Sequence, residues 1–183
     1  MRVLRSFIRN DDGAAAAEMM LVTPMLVILM FASVEMGNYF LTEHAVIKQV
    51  RDGARYASRL TVADPYSCTA GSDLSGVFAD GNASTDIINV TKTGSVDGTA
   101  PGRFGDGTSA FWAACSGSAA PVSVSVRCVD KASYGGIYTT LDGDIAVVKV
   151  QADVRYPSLF GSLGFNAAGL CMHVASESAV YGL

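Results

Sequence analysis

The sequence predicts an α+β protein in which one long N-terminal helix, membrane-spanning in its first half and amphipathic in its second, packs on a C-terminal antiparallel β-sheet. Three observations carry that expectation. Residues 13–33 read GAAAAEMMLVTPMLVILMFAS, a stretch long and apolar enough to span a bilayer. Between residues 40 and 60 apolar side chains recur at steps of three and four. In the last third, three segments alternate apolar and polar residues.

The first element is the span. Ala14 to Ser33 is twenty residues with one ionisable side chain, Glu18. Twenty helical residues rise about 30 Å, the thickness of a hydrocarbon core. A carboxylate in such a helix costs up to about 2.5–3.5 kcal/mol, less near the interface, so Glu18 calls for a partner. Gly13 stands directly before the apolar run, and the twelve residues ahead of it are polar and basic in character. A peptidase cut after Gly13 would give Ala14 a new amino terminus, cationic at neutral pH. Glu18 would then be the fifth mature residue, placed to pair with the amine of a neighbouring subunit in a helical bundle. The other reading is an uncleaved signal anchor whose Glu18 reaches to the headgroups.

Arg2, Arg5 and Arg9 precede the span, whereas residues 33–41 hold no Lys or Arg and one Glu. The positive-inside rule puts the N-terminus in the cytoplasm and the remainder outside. An ordinary secretory signal has its small-residue cleavage site after the apolar stretch, but here the Gly13 boundary precedes it, so a cut there leaves the membrane helix on the mature chain. Pro24, inside the span, removes one backbone donor, with Thr23 or a neighbouring helix expected to satisfy the freed carbonyl.

The helix continues through Phe40, Leu41, Val46, Ile47, Val50, Ala54, Ala57 and Leu60, with Glu43, His44, Lys48, Arg51, Asp52, Arg55 and Ser58 in the intervals. That is one apolar stripe at helical period. Gly53 weakens the helix by about 1 kcal/mol relative to Ala without ending it, and Asp64-Pro65 stops it. The expected domains are a leader over 1–13, removed on maturation, a helix over 14–62 with its span at about 14–36, and a β-rich extracytoplasmic domain over 63–183.

Residues 66–120 are rich in Gly, Ser, Thr, Ala and Asp and read as a loop-rich insertion. Within it Asp86 to Thr93, DIINVTKT, resembles a strand, and Phe111 and Trp112 are candidates to pin the insertion to the core. Asp97, Asp106, Asp142 and Asp144 lie beside glycines but lack the EF-hand spacing, so they are read as turn residues. Beyond it, Val122, Val124, Val126 and Cys128 alternate with polar residues, as do Val148 to Tyr156 and Leu170 to Val180. Each is a half-buried strand, with Asp142-Gly143 as a turn signal between the first two. A sheet with one apolar face matches the apolar stripe of the helix.

The net charge of −4 becomes −5 once residues 1–13, with three Arg and two Asp, are removed. A mildly acidic chain does not suggest nucleic-acid binding. The four cysteines, Cys68, Cys115, Cys128 and Cys171, form no CxxC pair, so metal-site spacing is absent. Outside the cytoplasm an even count reads as two disulfides; inside it, as four thiols. Three connectivities are open; the favoured one joins Cys128, on the apolar face of its strand, to Cys171 across the sheet, and Cys68 to Cys115. The two histidines, His44 and His173, sit in no catalytic motif, and there is no HExxH, P-loop, dinucleotide fingerprint or nucleophile elbow. No catalytic residue, metal or cofactor is expected.

The basic leader, Gly13-Ala-Ala-Ala-Ala-Glu18, the proline-bearing apolar helix, Glu35-Met36-Gly37 and Arg51-Asp-Gly-Ala-Arg-Tyr-Ala57 resemble the TadE-like pseudopilins, minor pilins of the tight-adherence (Tad, type IVc) pilus. Val154-Arg-Tyr-Pro157 followed by Leu159-Phe160 resembles their C-terminal strand region. The resemblance implies a pilin-like fold and a prepilin peptidase in the inner membrane that cuts between Gly13 and Ala14. It implies that Glu18 serves assembly by neutralising a neighbour's amine, that other pilin subunits are partners through the N-terminal helix, and that the fibre serves surface attachment and biofilm formation. Before assembly the C-terminal domain would be periplasmic, and afterwards it would be part of an extracellular pilus. Met19 stands where major pilins of this system usually carry Tyr, which implies a minor pilin. The alternative is an uncleaved, signal-anchored periplasmic binding or structural domain.

Overall fold

A computed structural model describes residues 12–60, 66–68, 75–78, 81–101, 111–134, 136, 139, 144–161 and 169–181. The chain divides into two compact units, Met1–Phe40 and Leu41–Leu183.

The first unit holds the apolar part of helix α1 (Asp12–Arg59). Its large side chains, from Met19 through Leu21, Leu26, Ile28 and Met30 to Val34 and Phe40, are exposed. Pro24 lies inside the helix and has no N–H for the carbonyl of Met20. The Thr23 hydroxyl donates to Met19 instead, at 2.6 Å. Thr23 therefore does not take up the carbonyl that Pro24 leaves, and of the two expected partners a neighbouring helix remains.

In the second unit the rest of α1 buries Val46, Val50, Ala54 and Ala57 of the predicted stripe, while Leu41 is exposed and Ala45 and Ser58, the latter expected in a polar interval, are buried beside them. The sheet is an antiparallel meander in chain order, β1 (Tyr66–Ser67), β2 (Ser75–Phe78), β3 (Val122–Val129), β4 (Ile145–Arg155) and β5 (Cys171–Ala179). The three long strands coincide with the three alternating segments. β4 is central to them: Val150 pairs with Val124 on one side and Ser176 on the other, and Ala152 with Val122 and Val174. Val148, Val150, Ala152 and Val154 are fully buried, with Met172 and Val174 beside them on β5. Lys149, Gln151, Asp153 and Arg155 take the other face, as the pleat requires.

The expected strand at Asp86 to Thr93 is a helix, α2 (Gly81–Thr93). Its β-branched run suggested a strand, but Ala83, Ile87 and Thr91 are buried at four-residue steps and form one helical stripe. The Thr91 and Thr93 hydroxyls donate to the carbonyls four residues back, at 2.7 and 2.9 Å. Gly94, at φ +79°, ends the helix with its N–H on Val90, a conformation that favours glycine. α2 lies against β2 and β3 and meets α1 at Gly53, where an added Cβ would run into the Thr91 side chain. The described residues of the stretch over 66–120 thus include two short strands and a helix. Of the two aromatic residues expected to reach the core, Trp112 is buried and Phe111 is half-buried, meeting it edge-on at 5.5 Å.

The disulfides pair Cys68 with Cys128 and Cys115 with Cys171, a correction to the expected connectivity. Register explains it. Cys128 sits opposite Ala146 of β4, and Cys171 sits opposite Arg155. The two positions are nine residues apart along β4, about 30 Å, far beyond the reach of a disulfide. Residues 113–115 instead join the end of β4, with the Cys115 N–H on the Asp153 carbonyl and the Arg155 N–H on that of Ala113. That places Cys115 at the same end of the strand as Cys171. The β3–β4 connection runs from Asp130 to Asp144 and includes a short 3-10 turn whose Ala132 N–H donates to Asp130. The turn expected at Asp142-Gly143 lies outside the described residues.

Candidate assembly segment

The residues singled out at the N-terminal end share α1. Gly13 is in its first turn and exposed, with open space where a Cβ would stand. Ala14 follows within the helix, and Glu18 is one turn further on and exposed. The helix from Ala16 is long and apolar enough to cross a membrane, and the most apolar part of it is not buried within the protein. Exposed Met, Leu, Ile and Val side chains over such a length require either lipid or other apolar helices. Glu18 is exposed and is the one carboxylate in residues 16–34, so in either setting it is the group there that prefers a cationic partner. The helix brings Gly13, Ala14 and Glu18 together because they are neighbours on one rod. It does not bring any cysteine or histidine near them in sequence.

The described residues of the second unit present polar clusters rather than a catalytic constellation. On β5 the exposed His173 Nδ1 lies 2.6 Å from Asp153 Oδ1, and Gln151 Nε2 donates to Asp153 Oδ2 at 2.9 Å. Hydrogen bonding to His173, aided by Gln151, holds the Asp153 carboxyl below its usual range against the opposing effect of burial. Cys115, Cys171 and His173 cluster closely, but both sulfurs are in the disulfide and the imidazole faces Asp153. Asp97 accepts from the hydroxyls of Ser95 and Thr99 and from the Thr99 N–H. These bonds lower its pKa to about 2 and account for the residue as a turn group. Asp144 is buried; Asp106 and Asp142 lie outside the described residues. His44 is exposed on α1. A groove of about 280 Å³ runs between Glu43, Ile47 and Arg51 of α1 and residues 173–176 of β5.

Two features escaped the sequence. Gly53 is not merely a tolerated weakness but the seat for Thr91; its place three residues after Val50, on the apolar stripe, is the signal the sequence offers. The second is the charge pattern of the exposed face of α1. His44, Lys48, Arg51, Arg55 and Arg59 are all exposed at steps of four, three, four and four. Four of the five fall in the polar intervals that the sequence pattern defines; Arg59 lies outside that pattern.

Residues 13–55 match the model of the family described as TadE-like protein, 43 of the 183 residues. No curated protein and no solved structure matches the chain.

Proposed function

We propose that this chain is a Tad pilus-associated minor pilin whose role is structural assembly rather than catalysis. The observation that carries the reading is the coincidence of three things at one residue. The TadE-like match begins at Gly13, the polar leader ends there, and the apolar run with its lone Glu18 starts directly after it. A prepilin peptidase cuts between Gly13 and Ala14 while the helix sits in the inner membrane with its N-terminus cytoplasmic. The C-terminal domain faces the periplasm, where the two disulfides form.

The new Ala14 amine gives Glu18 of a neighbouring subunit a cation to pair with inside a bundle of apolar helices. A carboxylate in the first turn is also favoured by the helix dipole. Unpaired, Glu18 is costly in hydrocarbon; paired, it rewards the approach of another helix over lipid contact. That difference moves the subunit from the membrane into, or to the priming end of, a fibre used in surface attachment and biofilm formation.

The deciding measurement is the mass of the native mature protein. The expected chain starts at Ala14, and a bulky substitution at Gly13 leaves the precursor uncut. A native chain that retains Met1 to Gly13 would sink the reading in favour of a signal-anchored periplasmic domain.

A further inference from the structure

The exposed face of α1 beyond the span carries four basic side chains in line with His44, and its nearest acidic neighbours, Glu43 and Asp52, are half-buried at its margins. His44, Lys48, Arg51, Arg55 and Arg59 form a row about 22 Å long, opposite the buried stripe of Val46, Val50 and Ala57. Four of the thirteen Lys and Arg residues of the chain fall within these sixteen positions. Asp52, at 3.9 Å from Arg55, flanks the row and offsets it only in part. The remainder of the domain is opposite in sign, since residues 60–183 hold eleven acidic and six basic residues. A chain of net charge −4 that concentrates cations on one helix face has localised them, which a merely solvated surface does not require.

We propose that this row selects the neighbouring subunit by charge, and that the surface it meets is a helix of a different subunit with carboxylates at matching three- and four-residue steps. The proposal rests on the pilin reading, which brings helices side by side. A second copy in parallel register would set cation against cation, destabilising by about as much as opposite charges stabilise. Nor does another surface of the same chain supply the complement among the described residues. Exposed Asp97 is held by Ser95 and Thr99, Asp130 caps Ala132, and Glu177 faces Arg127 at 3.4 Å. They stand on three separate elements and form no row. A protein of this overall charge is also a poor candidate for a nucleic-acid strand.

The test uses the full chain with a donor or acceptor fluorophore at its C-terminus, in phosphatidylcholine vesicles at low salt. The probe is a charge-reversed copy of the same chain, Lys48→Glu with Arg51→Glu and Arg55→Glu, checked for helicity and intact disulfides. Wild-type and reversed chains should associate about five- to tenfold more tightly than wild type with itself, the range available to three exposed ion pairs. The preference should collapse in about 0.5 M salt. As a second reading, the neutral variant Lys48→Gln with Arg51→Gln and Arg55→Gln should self-associate more than wild type. Equal association of wild-type and mixed pairs, or no gain in the neutral variant, overturns the proposal. So does a stripe-dependent preference for phosphatidylglycerol vesicles or a DNA duplex over the reversed chain. A protein cut at Gly13 and found in fibres but lacking the charge preference loses this inference alone. One that keeps its leader but shows the preference loses the pilin reading alone.

Discussion

Glu18 and Asp97 show how one residue type serves two ends. Glu18 stands alone in an apolar stretch, so its worth depends on a partner from outside the chain. Glu18→Ala should leave cleavage at Gly13 intact and lower incorporation into sheared fibres at least tenfold, read by immunoblot of fibre and membrane fractions. Normal incorporation would remove the pairing role. Asp97 is satisfied locally. Its carboxyl, at about 2 in the folded chain against about 3.9 unfolded, binds its proton less readily when folded. Asp153 is shifted in the same direction by His173. Both therefore contribute stability that is present above about pH 4 and is lost as pH falls through their folded values. Urea midpoints should be insensitive to these two groups from neutrality to about pH 4 and decline below it; Asp97→Asn should flatten that decline.

At the scale of elements, the contact of α1 with α2 turns on a missing side chain. Thr91 bends its hydroxyl back to Ile87, and a Cβ at Gly53 would lie 3.2 Å from the Thr91 Cβ and closer still to its oxygen. On an exposed helix, Gly→Ala would stabilise by up to about 1 kcal/mol; here overpacking of about 1–3 kcal/mol opposes it. Gly53→Ala should therefore lower the thermal midpoint, and adding Thr91→Ala, which removes the hydroxyl, should recover part of the loss. Tyr56 lies on the same side: burial, then the Asp86 charge, raises its hydroxyl pKa. The elements legible from sequence were those whose period has a single interpretation. The α1 stripe and the alternation of β3, β4 and β5 each fix a face. α2 was illegible because Ile87, Ile88, Val90 and Thr91 carry strand propensity, while the helix gains from the contact of Thr91 with Gly53, far back in the chain. Gly13 and Glu18 stood out because composition changes there. Gly53 did not, since its reason lies in Thr91.

At the scale of the whole molecule, cysteine connectivity is set by register rather than by which faces are apolar, and so was beyond reach of the sequence. The expected pairing joined opposite ends of β4, and the observed one joins like ends. Closing loops of 60 and 56 residues restricts the unfolded chain by about 4 kcal/mol each in the chain-entropy view. Cys68→Ser with Cys128→Ser, or Cys115→Ser with Cys171→Ser, should lower stability by up to that amount in denaturant titrations. The mismatched double replacement Cys128→Ser with Cys171→Ser should remove both bridges and cost more than either matched pair.

The two bridges also interleave along the chain, Cys115 falling inside the first loop and Cys128 inside the second. A protease that clips once anywhere between Cys68 and Cys171 releases nothing, because at least one sulfur bond still joins the pieces. Two clips in different intervals between successive cysteines also leave a single covalent body; a fragment drifts away only when one interval is cut twice or all three are cut. Exposed to digestive enzymes outside a cell, the domain would be nicked long before it was shed, and only a reductant would reveal the damage on a gel.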